Sequence, residues 1–307
     1  MKKIDTHQHL LYPDNFTYSW VKDFALEEVL GGAFPLEEYK KLAEPAGISG
    51  SLFMEVDVDE VEQGEEARFF SSLSEDPANG IVGVIASGRP EKETFSDYLY
   101  SISHPSLKAI RRIFHTLTEL PINDTFIRNI QLLGERNLAF DICALPAQMD
   151  TMSHLVENCP DTQFVLDHCG NPAIASGELV EWREAVKTMG AHKNLACKVS
   201  GIIASCEPGK ANVGSVQSVF DHVLEQFGPD RLIFGGDWPV CNLTSSLDDW
   251  VSIATELVAS LNREEQENFW SGNASRVYHC CFAREVLPTL PSSPRKHEAL
   301  SSTSRFP

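Results

Sequence analysis

Two histidines close to the N-terminus are the first residues whose types and spacing suggest chemistry. His7 and His9 end a short apolar run that begins at Ile4. In an extended strand, side chains two residues apart lie on the same face. Two imidazoles that converge on one point suit a metal ion or a polar catalytic site. Two surface histidines at a frayed terminus would have the same spacing, so the pair alone leaves both interpretations open.

The rest of the chain alternates between apolar, strand-like runs and amphipathic helices. After the first run, seven more strands are predicted at residues 48–56, 81–86, 107–114, 138–144, 163–168, 194–200 and 231–237. This alternation is typical of a parallel sheet covered by helices on its outer face. Eight such units over roughly 250 residues predict an α/β fold, a single (β/α)8 TIM barrel. A doubly wound open sheet is the alternative, but it would normally have fewer units and a Gly-rich phosphate turn, which the sequence lacks.

Helices are predicted at residues 36–46, 58–73, 94–103, 124–135, 149–158, 178–189, 216–227, 248–261 and 263–279, and Asp124 is the predicted N-cap of the fourth. The segment 12–34 is too long for an ordinary βα turn, and such loops are often lids or binding loops. Its Tyr18, Trp20 and Phe24 either cover a pocket or pack onto the barrel rim. The barrel domain is predicted at 1–284 and a flexible Pro/Ser-rich tail at 285–307.

Composition and charge exclude several classes of partner. The 307 residues carry a net charge of −19, which disfavours nucleic acid and anionic membrane surfaces. No run approaches the length of a membrane span, and the N-terminus lacks the apolar region of a signal peptide. The eight cysteines show no CxxC spacing, so buried, reduced thiols in a cytoplasmic protein are expected. No nucleotide or organic cofactor is expected.

The carboxyl ends of the predicted strands carry polar groups that the fold does not require. Active-site residues of a TIM barrel lie at these ends. The first strand ends in His7 and His9, the sixth in His168 and the eighth in Asp237. Alone, Asp237 could cap a helix or form an Asx turn, and His168 could be a core histidine bonded to the backbone. Together, three imidazoles and a carboxylate form a competent site for activating water.

These motifs resemble the amidohydrolase superfamily. The resemblance rests first on His7, His9, His168 and Asp237. Five further stretches make the resemblance more specific, to the amidohydrolase-related (amidohydrolase 2) branch, which includes sugar lactonases. They are Asp-Thr-His-Gln-His-Leu, Leu-Asp-His-Cys-Gly, Cys-Lys-Val-Ser-Gly, Gly-Asp-Trp-Pro and Gly272-Asn273-Ala274-x-x-Val277-Tyr278. That branch includes L-fuconolactonase-like and L-rhamnonolactonase-like enzymes. The resemblance covers roughly residues 3–280 and implies a TIM barrel that hydrolyses a sugar lactone or a similar cyclic ester.

The resemblance is incomplete at the metal ligands. Many amidohydrolases have a carboxylated lysine or Glu at strand four, or a His at strand five. Here Lys108 lies in the middle of strand four, and strand five ends in Cys143 and Ala144. A binuclear centre is therefore not expected. Two alternatives remain open, namely one zinc ion held by His7, His9 and Asp237, or hydrolysis without a metal.

The resemblance also assigns roles to individual residues. Asp237 is predicted to be the general base on the attacking water, and His7, His9 and His168 to polarise the carbonyl and stabilise the oxyanion. Asp237 or His168 then returns a proton to the leaving alkoxide.

Four further residues are predicted to bind the substrate, a small molecule: Arg111, His115, Trp238 and Lys198. Arg111 corresponds to the strand-four arginine of the family, but alternation along the strand does not decide whether it or Arg112 faces inward. Trp238 either lines the pocket or packs on the rim. Lys198 either assists the reaction or neutralises Asp167 or Asp237.

Three other functions remain as alternatives. A non-oxidative decarboxylase of an aromatic or unsaturated acid could use nearly the same ligands, but it usually has the strand-five His that is missing here. A barrel that binds carbohydrate without catalysis is a second alternative, and the four polar strand ends argue against it. Cys169 beside His168 suggests a cysteine-dependent enzyme, although neighbours in a strand face opposite sides. A homodimer is a further expectation, because barrels of this size often dimerise.

Overall fold

The computed structural model describes residues 1–24 and 26–282. In this part of the chain, eight parallel strands form one sheet in which sequence neighbours are also spatial neighbours, namely β1 (Lys3–Gln8), β2 (Ile48–Met54), β3 (Ile81–Ser87), β4 (Leu107–Ile113), β5 (Ala139–Cys143), β6 (Phe164–Leu166), β7 (Leu195–Val199) and β8 (Leu232–Phe234). The predicted TIM barrel is confirmed. The predicted tail at 285–307 lies outside the described residues.

Helices connect successive strands on the outside of the sheet. They are α1 (Ser19–Asp23), α2 (Glu27–Leu30), α3 (Leu36–Ala43), α4 (Gln63–Leu73), α5 (Phe95–Ser101), α6 (Asp124–Glu135), α7 (Met149–Asn158), α8 (Val180–Gly190), α9 (Val213–Phe227), α10 (Leu247–Leu257), α11 (Arg263–Glu267) and α12 (Asn273–Val277). The predicted N-cap of α6 was wrong by one residue. The side chain of Asn123, not Asp124, accepts the N–H of Phe126 and caps the helix.

The barrel closes where β1 meets the chain that follows β8. The N–H of Asp237 donates to the His7 carbonyl at 2.7 Å, and the N–H of His9 donates to the Trp238 carbonyl at 2.8 Å. These bonds lie beyond the three-residue strand β8, so closure and the site depend on the same few residues. The prediction extended β6 to His168 and β8 to Asp237, whereas the strands end at Leu166 and Phe234.

The interior of the barrel has an apolar layer below a charged one. Alternate residues of a strand point to the same face, and small apolar residues such as Ala109, Ala139, Val165 and Ala196 belong to one buried cluster. Two residues further along the same strands or just beyond them come Arg111, Asp141, Asp167 and Lys198, which are also buried. The charged layer therefore lies directly below the carboxyl ends of the strands.

The eight cysteines all lie within the described residues and all are free thiols, seven of them buried. Among the helices of this part of the chain, none is long and apolar enough to span a lipid bilayer.

Candidate active site

Four residues from three strand ends meet at the mouth of the barrel. Nε2 of His7 lies 3.6 Å from Oδ1 of Asp237, and Nε2 of His9 lies 3.5 Å from the same oxygen. The His168 ring centroid is 4.5 Å from that of His7. One potential ligand atom from each of His7, His168 and Asp237 lies within 4.8 Å of the others. The structure thus brings together all four residues that the strand ends indicated.

Contacts on the far side of the ring fix the imidazoles of His9 and His168. Nδ1 of His9 lies 3.1 Å from the Met54 carbonyl oxygen, which only accepts hydrogen bonds, so this nitrogen carries a proton and Nε2 is the nitrogen that faces Asp237. Nδ1 of His168 lies 3.0 Å from the Ser200 hydroxyl. These contacts set the direction in which each ring faces the cavity.

The surroundings of His7 and His168 shift the pKa values of the two imidazoles in opposite directions. Burial holds the pKa of the His7 imidazole well below its usual value, and the nearby His168 lowers it as well, so His7 is neutral. Burial also disfavours a charged His168, but the Asp237 carboxylate and Cys143 beside it outweigh burial and raise the pKa of His168. The site therefore combines a neutral imidazole with one that retains a proton more readily.

A buried charge network supports the cluster from below. Asp167 lies 3.6 Å from Nδ1 of His7, 2.9 Å from Nζ of Lys198 and 3.0 Å from Nε of Arg111. Burial raises the pKa of the Asp167 carboxyl, but Lys198 and His7 lower it further than burial raises it, to well below the usual value. Nζ of Lys198 also contacts Asp141 at 2.6 Å. Of its two predicted roles, Lys198 has the contacts that neutralise Asp167, and it does not line the cavity.

A cavity of about 250 Å³ opens above this cluster. Three of its lining residues, His9, His168 and Asp237, belong to the cluster, and Arg111 lies beside them. Arg112 instead pairs with Glu91 at 2.9 Å, so Arg111 is the arginine that faces the interior. The cavity is at the small end for ligand sites, which suits a single ring with a short substituent.

The other predicted substrate-binding residues lie in different places. His115 lines the cavity, and its Nδ1 is 3.2 Å from the thiol of Cys143. Trp238 does not line it, because its ring is buried against Phe34 and Tyr39 with centroids 5.4 and 5.6 Å away. Trp238 therefore has the rim-packing position that the sequence left open.

The segment 12–34 supplies one side of the cavity, with Trp20, Phe24, Leu26 and Leu30 among the lining residues. Of the three aromatic residues considered for this role, Trp20 and Phe24 lie at the cavity. Tyr18 instead accepts the N–H of Tyr12 at its hydroxyl.

Some residues of the site were missed by sequence reasoning. Gly201 has a φ of +64°, and a Cβ there would overlap Nδ1 of His168 and lie 2.9 Å from Oδ2 of Asp237. Asp57 lines the cavity but follows β2 without any recognisable motif. For Gly201, the signals were its place after the strand-seven end and its position as the last residue of the Cys-Lys-Val-Ser-Gly stretch.

The predicted zinc ligands are His7, His9 and Asp237, whereas the three residues whose ligand atoms lie within 4.8 Å of one another are His7, His168 and Asp237. His7 and Asp237 belong to both sets, and imidazole and carboxylate donors suit one zinc ion. Both ring nitrogens of His7 are buried without a hydrogen-bond partner among the described residues. Ligand atoms bonded to a tetrahedral zinc at about 2.0–2.2 Å lie roughly 3.3–3.6 Å apart, and the Nε2 atoms of His7 and His9 lie 3.6 and 3.5 Å from Asp237. The proton on Nδ1 of His9 leaves Nε2 free to coordinate.

Comparison with known sequences finds one family over nearly the whole described chain. The family described as amidohydrolase matches residues 4–280. An L-fucono-1,5-lactonase of Burkholderia multivorans is 29% identical over 163 residues, which cover 50% of this chain and 55% of that protein. The chain thus matches only about half the length of that relative. An uncharacterized protein of Sinorhizobium fredii is 24% identical over 297 residues, covering 90% of this chain and 97% of that protein.

Comparison with solved structures finds the same fold. A crystal structure of an amidohydrolase from Burkholderia multivorans with bound zinc matches with a TM-score of 0.83 at 24% identity. The match covers 92% of this chain and 100% of that one.

Proposed function

Because the chain belongs to the amidohydrolase family, we propose that it is a lactonase, a hydrolase that opens a sugar lactone or a similar cyclic ester by the attack of water. The observation that carries the proposal is the convergence of His7, His9 and His168 on the Asp237 carboxylate at the floor of a small cavity. Similarity to a protein named L-fucono-1,5-lactonase supports a sugar lactone as the substrate.

Asp237 is the proposed general base. A water beside this carboxylate gives up a proton to it while the water oxygen attacks the ester carbonyl. His9 and His168, which line the cavity, polarise the carbonyl, and His7 orients the Asp237 carboxylate from 3.6 Å below. The raised pKa of His168 suits it to stabilise the developing oxyanion. The ring C–O bond then breaks, and Asp237 or His168 returns a proton to the alkoxide. The product is an open hydroxy acid, so atoms and charge balance.

Arg111 and His115 are the proposed substrate-binding residues. The Arg111 guanidinium pairs with Glu55 at 3.1 Å and Asp167 at 3.0 Å, so it is held rigidly beside the cavity. A fixed guanidinium presents donors to a carbonyl, a carboxylate or hydroxyls without losing much side-chain entropy on binding.

A zinc ion is proposed at His7 and Asp237, with His9 or His168 as the third ligand. When bound, it would act as a Lewis acid and lower the pKa of a coordinated water. Elemental analysis of the purified protein should then find about one zinc per chain, and His7→Asn should lower that content. Zinc-free protein with undiminished lactonase activity after chelation would instead support the metal-free alternative.

The proposal is tested by proton release from a panel of aldonolactones (fuconic, galactonic, rhamnonic and gluconic) with wild type and Asp237→Asn. General acid–base catalysis contributes about 100-fold to 10,000-fold, so Asp237→Asn should lower kcat/KM by a factor in that range. Asp97→Asn is the matched control, because Asp97 is an exposed carboxylate on α5 and should leave kcat/KM unchanged. Equal rates for wild type and Asp237→Asn on every lactone would overturn the proposal, and decarboxylation of aromatic acids would be tested next.

A further inference from the structure

The cavity above the candidate site has two chemically different sides. The side formed by the chain after β1 and β8 is apolar. We call it the β8–β1 wall and define it by Leu11, Trp20, Phe24, Leu26, Leu30 and Val240. Helix α2 also packs against the turn at 240–243, so the two segments form one continuous surface. The lining after β2 and β4 carries Asp57, His115 and Thr116, together with the apolar Val56 and Ile113.

The one residue of the β8–β1 wall with a polar side-chain atom uses that atom elsewhere. Nε1 of Trp20 donates to the Val56 carbonyl at 2.8 Å. The indole therefore has no further N–H to offer a ligand, since Nε1–H is its only donor. The wall thus presents hydrocarbon and aromatic surface from side chains of the described residues.

An apolar wall discriminates between substituents on a lactone ring. A hydroxyl buried against it would lose its hydrogen bonds to water without replacement, which weakens binding. An alkyl group on the same ring carbon would be removed from water and bind more tightly with each methylene. The polar groups at the floor, and Asp57, His115 and Thr116, remain for the ester and for hydroxyls on the other edge of the ring.

We propose that the substrate is an amphipathic lactone whose ring bears an apolar substituent, and that the β8–β1 wall binds this substituent. The inference rests on the proposed lactonase function and specifies its substrate class. A lactone with hydroxyls on every side fits the cavity poorly. A lactone with a methyl or longer alkyl group fits better. Its alkyl group would contact segment 12–34, and its polar edge would face Asp57, His115 and Thr116.

The test measures kcat/KM for δ-valerolactone, δ-hexalactone, δ-octalactone and D-glucono-1,5-lactone, each corrected for spontaneous hydrolysis. The first three share a six-membered ring and differ by the length of the alkyl group beside the ring oxygen. We expect kcat/KM to rise about fourfold per methylene until the cavity is filled, the fold-change that corresponds to about 0.8 kcal/mol. D-glucono-1,5-lactone, which has the same ring with hydroxyls around it, should have a lower kcat/KM than δ-octalactone.

A substitution in the β8–β1 wall tests whether this surface causes the preference for lactones with an alkyl substituent. Phe24 is 57% exposed in the absence of a ligand, so Phe24→Asn should fold normally. It should reduce the ratio of kcat/KM for δ-octalactone over δ-valerolactone at least twofold, because part of the apolar surface is replaced by an amide. Tyr100→Asn is the control, since Tyr100 is an exposed aromatic residue on α5 away from the cavity, and it should leave the ratio unchanged.

The failure of this inference and that of the proposed function are distinguishable. If no lactone in either panel is hydrolysed, the lactonase assignment falls, and the substrate class falls with it. If kcat/KM stays flat along the alkyl series, or is highest for D-glucono-1,5-lactone, the lactonase assignment stands and the inference about the apolar wall is overturned. An unchanged δ-octalactone ratio in Phe24→Asn would likewise overturn the role of the wall.

Discussion

The side chains of His168 and Asp237 reach the cavity from backbone in the left-handed region. Their φ angles are +53° and +56°, and Gly201, which faces both, has a φ of +64°. A non-glycine residue in this region costs about 1 kcal/mol. This conformation changes the direction of the chain just beyond β6 and β8. The two side chains therefore do not follow the alternation of the sheet.

The close approach of Gly201 to both residues gives a prediction at this scale. In Gly201→Ala, the new methyl group would displace the His168 ring and press on the Asp237 carboxylate. Because a misplacement of about 1 Å can cost about 100-fold in rate, we expect kcat/KM for the preferred lactone to fall at least that far. Steady-state kinetics on folded protein, with the fold verified by circular dichroism, measures the effect.

Gly80→Ala separates this clash from backbone strain. Gly80 has a φ of +70°, and a Cβ there would meet no atom within 4 Å. The control therefore carries the same left-handed strain without a collision and should retain wild-type kcat/KM. Similar losses in both variants would show that strain, rather than contact with His168 and Asp237, is responsible.

Sequence reasoning reaches some of these residues and not others, for a physical reason. The positions of His7 and His9 follow from alternation along one strand, which is a local property. The contact between Gly201 and His168 joins residues 33 positions apart through the geometry of two turns. Likewise, the sequence identifies Lys198 only as a basic residue at a strand end. The contacts of its ammonium group with Asp141 and Asp167 are visible only in the structure.

At the scale of elements, the junction of β1 with β8 depends on one buried carboxylate. Asp5 accepts hydrogen bonds from the N–H of Gly236 at 2.6 Å, the N–H of His7 at 2.9 Å and the Tyr39 hydroxyl at 2.8 Å. The side chain is fully buried. It thus links β1, α3 and the turn after β8, and it holds His7 and Asp237 in register across the closure.

Asp5→Ala should destabilise the barrel substantially. It leaves three buried donors without an acceptor, and each lost bond to a charged group is worth about 1.5–3 kcal/mol, partly offset by removing a buried charge. We expect the free energy of unfolding to fall by about 3–5 kcal/mol, measured by urea denaturation. Thr6→Val is the matched control, because it removes one bond on the same strand, from Thr6 Oγ1 to the Phe234 carbonyl at 2.7 Å. Its cost should be about 1 kcal/mol, and an equal loss in both variants would contradict the role of Asp5.

The elements themselves were largely predictable from sequence. Apolar runs identified all eight strands, because strands of a barrel are buried on both faces. Helices α6 and α7 have the predicted bounds. The short helices α1 and α2 were not predicted, since helices of four or five residues are not stable alone and depend on tertiary packing. The lengths of β6 and β8 were overestimated because each prediction continued to the polar residue at the strand end, whereas His168 and Asp237 lie in the chain that follows the strand.

In the whole molecule, the carboxyl and amino ends of the barrel strands have different roles. The candidate site and the cavity lie at the carboxyl ends of the strands, where TIM barrels carry activity, and the amino ends carry stability. Arg231 stands at the amino end, just before β8. Its guanidinium donates five hydrogen bonds, to the carbonyls of residues 190, 192, 195, 226 and 227. It thereby joins the ends of α8 and α9 to the start of β7.

Arg231→Lys tests this separation of tasks. An ammonium group keeps the charge but cannot reproduce a planar fork that reaches five carbonyls. We expect the free energy of unfolding to fall by about 2–4 kcal/mol, while kcat/KM at 25 °C stays at the wild-type value because the substitution is at the opposite end from the cavity. Arg263→Lys is the control, because this exposed side chain of α11 pairs with Glu267 at 3.0 Å on the surface. It should change the free energy of unfolding by no more than about 0.5 kcal/mol and leave kcat/KM at the wild-type value. A fall in kcat/KM of folded Arg231→Lys would mean that packing at the amino end is transmitted to the site, and the two ends would then not be independent.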